Sequence, residues 1–314
     1  MRKNDLLKNV LIAILVTVIV VCINIGLEKK AQAAKITQPL PIIQIFPDRA
    51  LAERVKEILK KSDITDVVSQ GELDEVKICN ANGRTITSIK GIQYLTNLKE
   101  LYLSRNHIRD LTPLKDLTDL AILSLDNNKL ENLNGIPSNK LVRLSLEDNE
   151  LTQVDALAGL TKLETLFISK NQLRNIDGLA NLTNLKILDL NRNELSDLTP
   201  LAKLEKLISI HLANQKCVNE PLKYKSKLVI SNTVKGPDSV LITPNYISDN
   251  GSYTDGQFKW NLPIYMEKVY YTFAKTVKIG EQDVLFNGIV IQPLYPKKRE
   301  NMKRASFYLC GLTK

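Results

Sequence analysis

Two histidines, His107 and His211, are the only imidazoles in the 314-residue sequence, and acid–base or nucleophilic chemistry would look to them first. Neither lies in an arrangement that supplies a serine, cysteine or carboxylate as its partner, so no pair of nucleophile and base is legible. Adjacent carboxylates such as Glu147-Asp148 read as solvated surface. Neither the Walker phosphate loop nor a strand-linked Gly-x-Gly-x-x-Gly is present. Of the four cysteines, Cys22 falls in an apolar leader, and the odd set of Cys79, Cys217 and Cys310 implies no disulfide framework. The expected chemistry is non-covalent binding, with no catalytic residue, metal or cofactor.

Binding residues need a scaffold, and self-similarity reveals it. The motif Leu-x-x-Leu-x-Leu-x-x-Asn begins at Leu98, Leu120, Leu141, Leu163 and Leu185, with a decaying copy from Leu207. Its last column reads Asn106, Asn128, Asn149, Asn171, Asn193 and then Gln215, and apolar residues such as Ile108, Leu111 and Leu114 follow. A nine-position motif held through six copies at 21 or 22 residues is not helical periodicity. It is a leucine-rich repeat, an α/β solenoid of short strands whose Asn side chains bond adjacent coils. The convex side is expected to be 3₁₀-like, because Asp110-Leu111-Thr112-Pro113-Leu114 and Asp197-Leu198-Thr199-Pro200-Leu201 place proline at the start of a single helical turn. Extending the register backwards puts Val76, Cys79 and Ala81 in leucine slots, while Cys217 takes the slot held by Ile108. Both cysteines read as small buried hydrophobes.

Positions flanking the inward leucines face the concave side. The third column gives Glu100, Ile122, Arg143, Thr165, Ile187 and Ser209, and the fifth gives Tyr102, Ser124, Ser145, Phe167, Asp189 and His211. The seventh gives Ser104, Asp126, Glu147, Ser169, Asn191 and Ala213. Tyr102, Ile122, Phe167 and Ile187 have no core to fill there, and exposed apolar anchors among polar residues are what protein-binding surfaces use. Arg143, Asp189 and His211 would set orientation.

The array needs a cap at each end. Leu51, Val55, Ile58 and Leu59 recur at helical spacing within Ala50 to Lys61, and Ile64 to Leu73 continues as a second short amphipathic segment, so residues 34–75 read as a helical cap before repeats over 76–217. Beyond Cys217 the texture turns to β-branched and aromatic runs broken by turn residues, including Asn250-Gly251 and Asn287-Gly288, an all-β sandwich pattern over 218–295. The net charge of +9 sits mainly at the ends. Arg2, Lys3, Lys8, Lys29 and Lys30 fall in residues 1–33, and Lys297, Lys298, Arg299, Lys303, Arg304 and Lys314 in the basic tail 296–314. The middle is close to neutral, which argues against nucleic acid as a partner. Residues 1–33 join basic residues, a 16-residue apolar run from Val10 to Ile25 and the exit Ala31-Gln32-Ala33, so a secretory signal cut before Ala34 is expected rather than a retained membrane anchor.

The cap, the 22-residue repeats, Trp260-Asn261-Leu262-Pro263 and Phe286-Asn287-Gly288-Ile289-Val290-Ile291-Gln292-Pro293 together resemble the internalins of Listeria, most of all their small secreted members. The resemblance runs from about Pro41 to Pro293. It implies an immunoglobulin-like β module and a secreted virulence protein that binds a host protein without catalysis. Leu262-Pro263-Ile264-Tyr265-Met266 is not a Leu-Pro-x-Thr-Gly wall-sorting signal, so a surface-held adhesin is the alternative rather than the expectation. A leucine-rich-repeat ubiquitin ligase would need a large helical catalytic domain, which the mostly β residues after Cys217 do not supply. For the β module the resemblance implies contact with a host SH3 domain, such as one of the scaffold protein Tuba. Two routes are open: a folded face with Tyr246, Tyr253 and Tyr265, or the linear Pro293-Leu294-Tyr295-Pro296-Lys297, whose preferred reading is a stiffened domain exit.

Overall fold

The computed structural model describes residues 34–137 and 140–296. The expected leader, Cys310 and the expected basic tail beyond Pro296 lie outside these described residues.

The amino-terminal cap comprises β1 (Leu40–Pro41), α1 (Ile42–Ile45), α2 (Arg49–Ile58), β2 (Val67–Val68) and α3 (Gln70–Asp74), with β1 and β2 antiparallel. α2 buries Leu51, Ala52 and Val55. Asp48 caps it by accepting from the Ala50 and Leu51 N–H groups, and its other oxygen accepts from Thr87 and Ser88, which ties the helix start to the first coil. Burial alone would raise the Asp48 carboxyl, but the bonds from Thr87, Ser88 and Leu51 outweigh it and hold the group below its ordinary value. The stretch from Ile64 to Leu73 is not the single amphipathic segment expected. Its β-branched Val67-Val68 pairs with Leu40-Pro41, and helix begins only after Ser69, which forms a capping box with Glu72.

Each coil then contributes one short strand: β3 (Ile78–Asn80), β4 (Glu100–Tyr102), β5 (Ile122–Ser124), β6 (Arg143–Ser145), β7 (Thr165–Phe167), β8 (Ile187–Asp189) and β9 (Ser209–Val218). All seven pair in parallel, in chain order. The middle residue of each three-residue strand points inward, and Cys79, Leu101, Leu123, Leu144, Leu166 and Leu188 are all buried. Single 3₁₀ turns at Ile92–Tyr94, Thr112–Leu114, Asp155–Leu157, Asp177–Leu179 and Thr199–Leu201 form the convex side, with Pro113 and Pro200 at two of their starts.

The ladder residues join the coils through buried backbone. Asn149 donates to the Leu125 and Leu146 carbonyls, at 3.0 and 3.1 Å, and its Oδ1 accepts from the Leu130 N–H at 3.1 Å. Asn106, Asn128, Asn171 and Asn193 repeat this pattern. Gln215 fills the same slot in the last coil, accepting from Leu195 N–H and donating to the Leu190 and Leu212 carbonyls.

The remaining elements are β10 (Leu222–Lys223), β11 (Lys227–Ser231), β12 (Tyr246–Ile247), β13 (Ser252–Thr254), β14 (Gln257–Asn261), β15 (Lys268–Ile279) and β16 (Gln282–Tyr295). β16 pairs antiparallel with β15 and parallel with β9, so the repeat sheet runs without a break into the β module as an 11-stranded sheet. A second sheet of order β11-β14-β13 closes the sandwich over Phe258, Trp260, Tyr271 and Phe273. The Phe258 and Tyr271 rings stack 3.8 Å apart, and Trp260 Nε1 donates to the Ser248 carbonyl at 2.8 Å. Asn287-Gly288, expected at a turn, lies inside β16 instead. The pairing with β9 shifts register between Phe286 and Gly288, and a Cβ on Gly288 would sit 2.4 Å from the Gln215 carbonyl oxygen, so glycine is what lets the two strands meet.

Two substitutions test these joints by urea denaturation. Asn149→Ala strands the buried Leu130 N–H and leaves the Leu125 and Leu146 carbonyls with the ladder bonds of Asn128 and Asn171 alone, and should cost about 1 to 3 kcal/mol. Gly288→Ala forces β16 from β9 and should cost about 2 kcal/mol or more, accompanied by faster proteolysis of the module. A loss within about 0.5 kcal/mol in either variant would contradict the corresponding account.

Candidate functional site

The parallel register turns the third and fifth columns of the repeat into straight rows across the sheet. Ile78, Glu100, Ile122, Arg143, Thr165, Ile187 and Ser209 form one row, and Asn80, Tyr102, Ser124, Ser145, Phe167, Asp189 and His211 the other. Tyr102, Ile122, Phe167, Ile187 and Asp189 are half-buried among their neighbours, and Arg143 and His211 are exposed. Phe167 on β7 and Ile187 on β8 are diagonal neighbours, as are Tyr102 on β4 and Ile122 on β5, so the four side chains form two pairs. Arg143 and Ser145 on β6 lie between the pairs. The Tyr102 hydroxyl donates to Glu100 at 2.7 Å, and that carboxylate pushes the phenol above its ordinary value. His211 stands opposite Asp189, at the repeat end that meets the β module.

A fixed carboxylate lies beside the Tyr102–Ile122 pair, toward β6. Asp126 accepts from the Ser124 hydroxyl at 3.1 Å, from the Ser145 hydroxyl and from the Glu147 N–H at 2.9 Å. Ser104 lies 3.2 Å from the same carboxylate and 2.6 Å from Ser124. The serines therefore serve a carboxylate. Four strand spacings separate β5 from β9, about 19 Å, so His211 cannot act as base toward Ser124. Among the described residues no group of three or more His, Cys, Asp or Glu side chains could hold a metal ion. Burial raises Cys79 to about 11 and Cys217 to about 12, which keeps both as thiols.

Three exposed apolar residues fall outside the positions read from the sequence. Ile78 begins the third-column row from the degenerate first coil, and Val142 and Ile208 occupy the second motif position.

In the β module the expected tyrosines do not share one face. Tyr246 is half exposed on β12, with its ring 5.8 Å from Tyr270. Tyr253, expected to be exposed, packs against the core instead: its ring lies 4.9 Å from Phe258, and its hydroxyl accepts from Asn232 at 3.1 Å. Tyr265 lies in the β14–β15 loop and donates to the Leu294 carbonyl at 3.1 Å. Pro293 is held within β16 opposite Lys268, and Pro296 is exposed just beyond the strand. A polyproline II ligand using both prolines would first have to peel the end of β16 from β15. Among the described residues no helix is long and apolar enough to cross a membrane.

Comparison with known proteins gives this architecture its relatives. Residues 30–74 match the family described as bacterial adhesion/invasion protein N terminal, residues 81–138 and 139–181 match leucine rich repeats (2 copies), and residues 240–295 match LRR adjacent. Internalin C of Listeria monocytogenes serotype 1/2a (strain EGD / Mackaness) is 49% identical over 294 residues, covering 94% of this chain and 99% of internalin C. Internalin H of Listeria monocytogenes serovar 1/2a (strain ATCC BAA-679 / EGD-e) is 38% identical over an aligned length of 340 residues, covering 93% of this chain and 62% of internalin H. The crystal structure of internalin C2 from Listeria monocytogenes str. 4b F2365 has a TM-score of 0.54 at 43% identity, covering 60% of this chain and 83% of that one. With cap, repeats and adjoining β region all matched, and internalin C aligned along nearly its whole length, the chain belongs to the internalins, a family of non-catalytic leucine-rich-repeat proteins of bacterial adhesion and invasion.

Proposed function

We propose that this internalin is a secreted virulence protein, released once residues 1–33 are removed, and that it binds a folded host protein through the concave face of its repeats. The observation that carries the reading is the pairing of Phe167 with Ile187 on adjacent strands of a sheet too well hydrogen-bonded to rearrange. An apolar anchor held in place costs little ordering entropy on binding. Tyr102 with Ile122 supplies a second anchor. Arg143, Asp189, His211 and the Asp126 carboxylate supply charges of both signs that select orientation.

A second reading concerns the β module, which in this proposal meets a host SH3 domain, with Tuba as one candidate. The exposed Tyr246 beside Tyr270 favours a folded face over the linear route, because Pro293 is engaged in β16.

Capture of host proteins by the chain starting at Ala34, followed by affinity measurement for the partner found, tests the first reading. Phe167→Ala should cost at least about 1 to 2 kcal/mol of binding with folding intact, and unchanged affinity would remove Phe167 from the site. For the second, titration against a panel of SH3 domains should show binding that Tyr246→Ala weakens at least about tenfold if the tyrosine is an anchor. Binding unaffected by that change but lost when the chain stops at Gln292 would favour the linear route, and absence of binding would end the reading.

A further inference from the structure

One end of the β module combines features that the concave site does not use. The β14–β15 loop, Leu262 to Glu267, projects Ile264 with 73% of its surface exposed and Tyr265 with 43%. Beside it lie Leu222 and Tyr295, at 39% and 40%, brought together because β10 pairs with the last residues of β16, Leu222 opposite Leu294 and Lys223 opposite Tyr295. The loop is fixed rather than loose. Tyr265 donates to the Leu294 carbonyl, its ring meets Tyr224 edge-on at 5.5 Å, and Tyr224 donates to the Leu262 carbonyl. A rigid, protruding, apolar tip is an unusual thing to leave in water.

Its surroundings are cationic. Lys223, Lys225, Lys227 and Lys268 are exposed around the tip, against the exposed carboxylates of Glu220 and Glu267. Among the described residues the lysines of the β module that form ion pairs are Lys235, with Asp197, and Lys278, with Glu281, so none of the four at this end is tied in an ion pair there and they outnumber the two carboxylates. The chain also leaves the fold here. Directly after Pro296 the sequence runs Lys297-Lys298-Arg299, with Lys303, Arg304 and Lys314 beyond, against the single Glu300.

We propose that this end of the module docks on an anionic phospholipid surface, with Ile264 entering the headgroup–acyl boundary. Tyr265 and Tyr295 lie at headgroup level, and the lysines reach lipid phosphates and carboxylates. Charge and shape together select the occupant. A folded acidic partner would need a pocket matched to one loop tip, whereas a bilayer accepts a protruding tip and meets every lysine around it at once. The contact is peripheral and reversible. It would hold a released protein against membrane while the concave face stays free to bind.

The test is co-sedimentation of the chain starting at Ala34 with vesicles of equimolar phosphatidylcholine and phosphatidylserine, and with vesicles of phosphatidylcholine alone. Binding to the mixed vesicles, weak binding to the neutral ones and release by high salt are expected. Ile264→Asp, at a position too exposed to matter for folding, should weaken binding at least about tenfold, and Lys225→Glu should weaken it in low salt while leaving less effect in high salt. No binding to the mixed vesicles overturns the proposal. So does equal binding to both vesicles, or Ile264→Asp binding as the parent does while a chain ending at Pro296 does not, which would assign the contact to the tail alone. Self-association in solution that Ile264→Asp abolishes, without vesicle binding, overturns it in favour of a second copy of this chain.

Discussion

A stacked coil must satisfy backbone groups that face its neighbours rather than water, and one side-chain amide per coil meets that constraint here. A buried amide left without a partner costs about 1 to 3 kcal/mol, and an Asn can serve two carbonyls and an N–H at once. Asn128, for instance, bonds the Leu103 and Leu125 carbonyls with one end and the Ile108 N–H with the other. The bonds that close one coil thus also fix the next, which sets both the rise between coils and the straight rows of the concave face. Leucine burial supplies the larger driving force, but it is non-directional and would tolerate slippage. The amide ladder is what makes the register unique.

Gln215 shows how the array ends. It fulfils the ladder role with a longer side chain at the point where β9 extends beyond the three-residue strands before it. The extension gives β16 an edge to pair with, and the exposed end of the solenoid is covered by hydrogen bonds as well as by apolar packing. At the other end Asp48 performs a comparable joining role with charge, one carboxylate serving the start of α2 and the backbone at Thr87 and Ser88. Its depressed ionisation means that this contribution is present above the carboxyl's unfolded value and fades as pH falls through the folded one.

Much of this was legible because a repeat amplifies weak signals. No single Leu-x-Leu specifies a strand, yet its recurrence at Leu98, Leu120, Leu141, Leu163 and Leu185 fixed the inward columns, the ladder and the buried state of Cys79 and Cys217. Legibility failed where the period gives no help. Asn287-Gly288 has the composition of a turn, but the same need for a small residue arises where β16 approaches the Gln215 carbonyl. Tyr253 is drawn inward by Asn232 and Phe258, contacts that no local pattern encodes. Ile78 escaped notice because its coil departs from the leucine consensus, although its row across the sheet is the same as that of Ile122 and Ile187.

The same physics separates what is conserved in shape from what is free to specify. Inward and ladder positions each meet several neighbours across two coils, so a change there disturbs more than one joint. The outward rows touch little besides the adjacent strand. Phe167, Arg143 and Asp189 can therefore vary in chemistry without moving the sheet that carries them, and a solenoid whose backbone is held this firmly presents whatever side chains it carries at nearly fixed positions. The rows are thus where side-chain chemistry is free to change, while the ladder holds that chemistry at fixed spacing by preventing the rows from slipping against one another.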